Sequence, residues 1–371
     1  KYPFPEATAT TQVLVSGEKG GNQAKPLIIA GLIGGLYDFI VGTFGWWSET
    51  VSTTVVGIGE TLAEKAKLVM KVNTGAAVLG LGYIIGLKYS LIICAGSFLV
   101  WLIIIPLMSA LFYDQVLTFG NDAITATIGS MSPELIFTTY ARHIGIGGIA
   151  TAGVIGIVKS WGIIKGAVGL AAKELKGSSN VNTESVQRTQ KDISMKIIAI
   201  GVIVTMVITL LFFQFGLLHN WFYAIIGLLL VGIIAFLFTT VAANAIAIVG
   251  TNPVSGMTLM TLILASIILV ATGLSGTAGM VSALIIGGVV CTALSMAGGF
   301  ITDLKIGYWL GSTPVKQESW KFLGTLVSAA TVGGVILILN QTYGFTSGQL
   351  AAPQANAMAA VIEPLMSGAG A

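Results

Sequence analysis

The sequence predicts an all-α, polytopic helical membrane protein with about nine transmembrane segments plus broken or re-entrant helices. Among its 371 residues only 18 are Lys or Arg and 15 are Asp or Glu, whereas 55% are hydrophobic. Soluble domains carry about one quarter charged residues. The 48 glycines indicate closely packed or broken helices, because small side chains let backbones approach where lipid removes the hydrophobic force between helices.

The apolar residues form nine runs that approach the roughly 20 residues needed to cross a bilayer. The nine predicted spans are 26–46, 72–87, 89–112, 136–158, 197–217, 221–243, 257–273, 278–297 and 322–340. Pro106 is expected to kink the third span. The polar stretch 171–192 is predicted to be a cytoplasmic loop between a first membrane part, 1–170, and a second, 193–371, which contains an NPVSG motif.

The basic residues predict an orientation. Alternating crossings place 14 of the 18 Lys and Arg on one face, in residues 1–25, Lys88, 159–196 and 302–321. Since cytoplasmic loops carry an excess of Lys and Arg, that face is predicted to be cytoplasmic. The chain starts with Lys1 and contains no signal-peptide pattern, which is typical of a part of a longer polypeptide.

Several classes of function are disfavoured by missing motifs. The nucleotide-binding pattern GxxxxGK[ST] is absent, and no basic, aromatic-rich groove indicates nucleic acid. Cys94 and Cys291 lie in apolar runs and the two His are not clustered, so no metal site and no cofactor are expected. Without a GxSxG motif or a carboxylate pair at suitable depth, an enzyme is not expected either.

The stretch GTNPVSGMT, residues 250–258, interrupts apolar sequence with a proline, two glycines and several hydrogen-bonding side chains. Irregular backbone is tolerated at membrane depth only where it is buried in protein or lines a watery cavity. Helices broken in this way are typical of secondary transporters. We therefore expect a polar substrate site here, with contributions from Asn252, Pro253, Ser255 and Gly256.

Two charged positions within predicted spans have alternative interpretations. Asp38 falls near the midplane of the first span, where a bare carboxylate costs several kcal/mol; it either carries a proton or hydrogen-bonds a neighbouring broken helix without titrating. Arg142, followed by His143, lies early in the fourth span. Its planar fork suits Asp38, Glu134 or a substrate's C-terminus, unless both side chains only reach to the interface.

Charged residues also accompany two further motifs. In YPFPEATAT, Pro3 and Pro5 precede a short predicted helix with Glu6 in its first turn, where the helix dipole favours an anion. In GGFITDLKIGYWLGSTP, Asp303 is predicted to pair with Lys305. As a hypothesis, Glu6 or Asp38 carries a proton.

These motifs, together with LAAPQANAMAAVIE and NTGAAVLGLGYIIGLKYSLIICAGSFLVWLIIIPLMS, give the chain a resemblance to the oligopeptide transporter (OPT) family, particularly its prokaryotic branch. The resemblance implies a multi-pass importer in a prokaryotic inner membrane, carrying small peptides or peptide-like and metal-chelate relatives with cotransported protons. Family members are longer, so the chain resembles their central portion. The matching residues of the substrate region are Tyr2, Pro3, Asn252, Pro253, Ser255, Gly256, Asp303 and Lys305.

The sequence thus predicts a proton-coupled secondary transporter working by alternating access. Arg142 or Lys305 is expected to meet the substrate carboxylate, while Asn252 and Ser255 bind peptide amides or carbonyls. The expected partners are a small peptide or peptide-like substrate, protons and the lipid bilayer, and a homo-oligomer is compatible with the sequence. The alternative is a non-transporting membrane scaffold or subunit of a larger complex, which explains the glycines but gives no reason for a polar break.

Overall fold

The computed structural model describes residues 2–117, 125–175, 187–250, 252, 254–345 and 353–366, and these are almost entirely helical. The α-helices are α1 Pro5–Lys19, α2 Gly21–Phe44, α3 Gly57–Lys65, α4 Ala76–Ile85, α5 Leu87–Phe98, α6 Ile105–Leu111, α7 Pro133–Ile136, α8 Arg142–Leu175, α9 Met195–Phe212, α10 Trp221–Val249, α11 Val254–Ala271, α12 Gly276–Leu310, α13 Pro314–Tyr343 and α14 Pro353–Met366. Three single-turn 3-10 segments lie at Thr53–Val55, Ile128–Ser130 and Arg188–Gln190.

The predicted fold class is confirmed. Seven helical stretches in the described residues are long and apolar enough to cross a membrane, and they correspond to seven of the nine predicted spans. The other two predicted spans are shorter apolar helices, α4 and α11. With 10 residues, α4 extends only about 15 Å at 1.5 Å per residue, or half of a bilayer core of about 30 Å, so the helix of the second predicted span, 72–87, is too short for a full crossing.

Three π-helical segments interrupt the long helices: π1 Leu99–Ile104, π2 Phe137–Ala141 and π3 Phe213–Leu218. In a π-turn the hydrogen bonds run from residue i to i+5, which widens the helix and is frequent at functional sites. The segment π1 joins α5 to α6, whose second residue is Pro106. A widened turn thus lies just before the proline, and the kink expected at Pro106 stays a prediction.

The helix of the eighth predicted span, 278–297, extends further than predicted. Helix α12 continues for 35 residues to Leu310, and α13 begins at Pro314. The predicted end at residue 297 is wrong, because the termination signals come only at Gly311, which has a φ of 72°, and at Pro314 in the first helical turn. Glycine after a helix and proline at the start of the next are the usual pair of signals.

A small sheet was not predicted. Strands β1 Thr50–Ser52 and β2 Lys71–Asn73 pair antiparallel, with Val51 opposite Val72. Helix α3 lies between them in sequence. Strands of three residues are too short to show the alternation of apolar and polar side chains by which strands are recognised in a sequence.

The chain divides into two compact units. The first unit comprises Lys1–Ile149 and Ala247–Thr251, and the second comprises Ala150–Ile246 and Asn252–Ala371. Buried residues such as Ile105 and Ile136 form the core of the first unit. The core of the second unit contains side chains from π3, α10, α11, α12 and α14. The division at 171–192 inferred from polarity stays a prediction, and residues 176–186 lie outside the described residues.

Candidate functional site

The predicted break in the 250–258 stretch is confirmed. Helix α10 ends at Val249 and α11 begins at Val254, and Gly250 has a φ of 86°, in the left-handed region that favours glycine. A residue that precedes proline is also driven out of the helical region, which explains why the helix stops before Asn252. Pro253 lies outside the described residues, as does the side chain of Ser255.

Asn252 is held at the break by one hydrogen bond and has one unused acceptor. Its Nδ2 donates to the backbone oxygen of Leu294 on α12 at 3.0 Å. Its Oδ1 is buried and has no hydrogen-bond partner in the described structure. A buried acceptor without a partner costs about 1 to 3 kcal/mol. The break therefore places an unsatisfied amide oxygen inside the second unit.

The neighbouring helix leaves space for this side chain through a glycine. A Cβ atom added to Gly298 would overlap Asn252 Nδ2 and would lie 2.7 Å from Ile246 Cδ1. Gly298 begins the GGFITD motif, so two motifs that are distant in sequence meet in the second unit. By contrast, the hydroxyl of Thr258 donates to Val254 O at 2.7 Å, within its own helix.

The YPFPE motif packs against the end of α10 and Gly250, within the first unit. The Phe4 N–H donates to Ala247 O at 3.0 Å, in the last turn of α10. A Cβ added to Gly250 would lie 2.8 Å from Pro5 Cγ and 3.5 Å from Glu6 Cβ. The helix predicted after the prolines is α1, with Glu6 exposed in its first turn. Tyr2 and Pro3 are exposed.

Asp38 is hydrogen-bonded to the short helix α4. Its Oδ1 accepts from the backbone N–H of Ala76 at 3.0 Å, and Ala76 is the first residue of α4. Carboxylates at this position satisfy a free N–H and interact favourably with the helix dipole. The geometry is that of the second sequence-based interpretation, a hydrogen bond to a broken helix, and whether Asp38 also carries a proton stays a prediction.

Arg142 contacts neither carboxylate suggested as its partner. Glu134 pairs with Lys71 at 2.8 Å, and Asp38 bonds Ala76. The Arg142 guanidinium instead lies 5.7 Å from the ring centre of Phe137. Neither of the two ion pairs found among the described residues includes Arg142. Neither protein carboxylate is thus the partner of Arg142, and a substrate carboxylate and a side chain that only reaches to the interface stay as the two interpretations.

Lys305, the predicted ion-pair partner of Asp303, is wrong. Asp303 forms its ion pair with Lys321 of α13. Both Asp303 and Lys305 lie on α12, and residues two apart on a helix do not face each other. The Lys305 ammonium lies 4.5 Å from the ring centre of Tyr308 and 4.9 Å from that of Trp309.

Other polar positions were missed by sequence reasoning. Gln214 Oε1, in π3, and Ser266 Oγ, in α11, are buried without hydrogen-bond partners in the described structure. A lone Gln or Ser in an apolar run carries no spacing signal.

A cavity of about 340 Å³ in the second unit has a mostly apolar lining formed by Thr151, Val154, Ile155, Met260, Ile263 and Leu264. Among the described residues of the break, Asn252, Val254 and Gly256 do not line this cavity.

The seven long apolar helices and the polar break define a multi-pass membrane protein. The sequence model of the family described as "OPT oligopeptide transporter protein" matches residues 1–371. The chain belongs to this oligopeptide transporter family, a family of cell-membrane proteins.

One relative, from Haemophilus influenzae, is named "Putative oligopeptide transporter". It is 25% identical over 407 residues, which cover 98% of this chain and 60% of the relative. The chain thus spans about three fifths of the length of the relative. No solved structure matches the chain significantly.

Proposed function

We propose that this chain forms the central part of a secondary active transporter that imports small oligopeptides, or peptide-like or metal-chelate relatives, by proton-coupled alternating access. Membership of the OPT family and the name of the Haemophilus influenzae relative support a peptide substrate. The observation that carries the proposal is the buried, unsatisfied Oδ1 of Asn252 at a broken helix, since a membrane protein retains such a group at a cost.

The substrate site forms around the break between α10 and α11. Asn252 Oδ1 accepts an N–H from the peptide backbone, while its Nδ2 stays bonded to Leu294 O. The first N–H groups of α11, up to Gly256, have no partners within the helix and suit a peptide carbonyl. Pro253 and Ser255 belong to the same stretch of sequence and are proposed to bind substrate as well. Because Oδ1 is buried, the site opens by a movement of α10 or α11 at the break.

Further substrate-binding residues are proposed in each unit. Tyr2 and Pro3 directly precede Phe4, whose N–H donates to Ala247 O in the last turn of α10. A movement of the chain at the end of α10 therefore moves Tyr2 and Pro3 as well. On α12, Asp303 and Lys305 follow the glycine that accommodates Asn252. Their polar groups bind the part of the substrate beyond its first peptide unit.

Asp38 and Glu6 are the proposed proton carriers. Ionised Asp38 accepts from the N–H of Ala76 and lies at the N-terminus of α4. Protonation removes the negative charge that favours this end of the helix and weakens a charge-assisted hydrogen bond. Helix α4 then detaches more readily, which couples proton binding to a helix movement. Glu6, next to Gly250, occupies a similar place in the first turn of α1.

Reconstitution in liposomes tests the proposal. Uptake of a pooled library of tri- to pentapeptides, each as free acid and as C-terminal amide, is followed by mass spectrometry with and without an inward proton gradient. The proposal predicts gradient-dependent accumulation of a subset of peptides above the level in protein-free vesicles. Uptake equal to that of protein-free vesicles for the whole library would contradict it and would favour the membrane scaffold.

A further inference from the structure

We propose that Arg142 binds the free C-terminal carboxylate of the peptide, and that Phe137 and Trp101 are positioning residues that hold its guanidinium. This inference rests on the proposed function, because it assigns the substrate carboxylate to a residue. It adds a requirement that the transport proposal does not contain, which is that the protein distinguishes a peptide acid from its amide.

Arg142 lies in a predicted membrane helix and has no acidic partner among the described residues. Arg142 is the tenth residue of the helical stretch that begins at Pro133, about 13 Å along the helix. Its side chain is half-buried, and neither ion pair in the described parts of the chain includes it. Charges within membrane helices are expensive and commonly mark substrate pathways. Arg142 is therefore a fixed positive charge that an anion can approach.

The π-turn that precedes Arg142 brings its side chain close to Phe137. In an α-helix, residues five apart lie roughly 140° apart around the axis, so Arg142 and Phe137 would point in different directions. In π2 the N–H of Arg142 donates to Phe137 O, the i to i+5 bond of a π-turn. This turn places the two residues above one another and brings the guanidinium to 5.7 Å from the Phe137 ring centre.

The ring of Phe137 is itself packed against a second aromatic ring. The Trp101 and Phe137 rings are stacked, with centres 5.0 Å apart and planes inclined by 21°. Trp101 itself lies in π1, so two widened turns face each other at this contact. Next to it, Tyr140 is buried and its hydroxyl donates to Leu117 O at 2.8 Å. Phe137 is thus held between fixed groups, and a guanidinium resting on it loses little freedom when it binds an anion.

These features match a carboxylate better than a single-point acceptor. The two parallel N–H groups of a guanidinium bind both oxygens of a carboxylate. A lipid phosphate offers similar oxygens, so the two sources must be separated. A peptide carboxylate makes uptake depend on the acid form of the substrate, whereas a phosphate makes it depend on anionic lipid.

The test uses the same peptide library in proteoliposomes. Wild-type protein is expected to accumulate acids over their amides by roughly 10- to 100-fold, the loss associated with removing a charged hydrogen-bond partner. Arg142→Gln is expected to bring this ratio close to one while amide uptake continues. Arg142→Lys, which keeps the charge without the fork, is expected to give an intermediate ratio.

Two controls make the result specific. Lys159→Gln removes an exposed positive charge from the same helix and is expected to leave the acid-to-amide ratio unchanged. Wild type and Arg142→Gln are also compared in vesicles with and without phosphatidylglycerol. An equal loss of acid and amide uptake in both Arg142 variants, or a difference between wild type and variant seen only with anionic lipid, would overturn the assignment. If wild type transports neither form, the proposed function fails instead.

The positioning role is tested by the aromatic ring. Phe137→Leu is expected to lower the acid-to-amide ratio several-fold, and Phe137→Tyr to restore it, because the tyrosine keeps the ring. A merely structural role for Phe137 would lower uptake of acids and amides equally. Equal ratios in wild type and Phe137→Leu would remove Phe137 from the mechanism.

Discussion

Asp38 and Asn252 are both polar residues beside a helix interruption, yet their hydrogen bonding differs. Asp38, in the first unit, is exposed, and its carboxylate accepts a hydrogen bond from the first N–H of α4. Asn252, in the second unit, uses its donor on Leu294 O but leaves a buried acceptor without a partner in the described structure. The first arrangement completes a helix end. The second leaves an acceptor available in the described structure, which is why we propose substrate binding at Asn252.

The largest loss of stability is expected at Gly250, on which the break depends. In Gly250→Ala the new Cβ lies 2.8 Å from Pro5 Cγ, and the φ of 86° is unfavourable for alanine. The left-handed backbone costs about 1 to 2 kcal/mol, and overpacking adds about 1 to 3 kcal/mol. Thermal unfolding should shift to clearly lower temperature, and uptake should be lost.

A matched variant isolates the contact from the backbone. Gly45 also has a positive φ, 60°, but a Cβ there meets nothing within 4 Å. Gly45→Ala should show the backbone cost alone and keep peptide uptake. Equal effects in the two variants would mean that the packing of YPFPE on the break contributes nothing.

The next effect is expected at Gly298, which leaves room for Asn252. A Cβ in Gly298→Ala overlaps Asn252 Nδ2, so the amide must move away from Leu294 O. We expect a cost of about 1 to 3 kcal/mol and uptake reduced at least about ten-fold. Gly288 lies on the same helix, and a Cβ there meets nothing within 4 Å. Gly288→Ala should be neutral or stabilising by up to about 1 kcal/mol. Full uptake by Gly298→Ala would show that the position of Asn252 is unimportant.

The smallest effect on stability is expected from Asp38→Asn. The amide keeps an oxygen that can accept from the Ala76 N–H, so the free energy of unfolding should change by only roughly a few tenths of a kcal/mol, the size of a weak dipole contact. The unfolding temperature should therefore shift little. The neutral side chain cannot exchange a proton, so peptide binding should persist while gradient-driven accumulation is lost. Proton-driven accumulation at the wild-type level would remove Asp38 from coupling and leave it as a cap.

The sequence determines the helices more fully than the contacts between them. Apolar runs predicted the helices, and Gly250 with Pro253 predicted where one of them breaks, because these signals are local. The continuation of α12 past residue 297, the predicted end of the eighth span, was missed because the apolar run ends there, although no terminating residue occurs before Gly311. Helix periodicity does not reveal π-turns, so the approach of Arg142 to Phe137 had no sequence signal.

The helix break was predictable in position, but the contacts around it were not. Asn252 was identified because it lies beside Pro253 in an apolar region. Its bond to Leu294 and its packing on Gly298 join segments more than 40 residues apart, which no local pattern reports. For the same reason the partner of Asp303 was expected nearby, on Lys305, whereas Lys321 of the next helix forms the ion pair.

The central claim is that Asn252 Oδ1 is an acceptor reserved for substrate, and thermal unfolding with and without peptide tests it most directly. Asn252→Leu removes the unsatisfied oxygen together with one donor, and without peptide its unfolding temperature should lie close to that of wild type. Peptides accumulated by wild type should raise the wild-type unfolding temperature, because a ligand that binds only the folded state stabilises it. The account predicts that this rise disappears in Asn252→Leu. A rise of the same size in both proteins would contradict it.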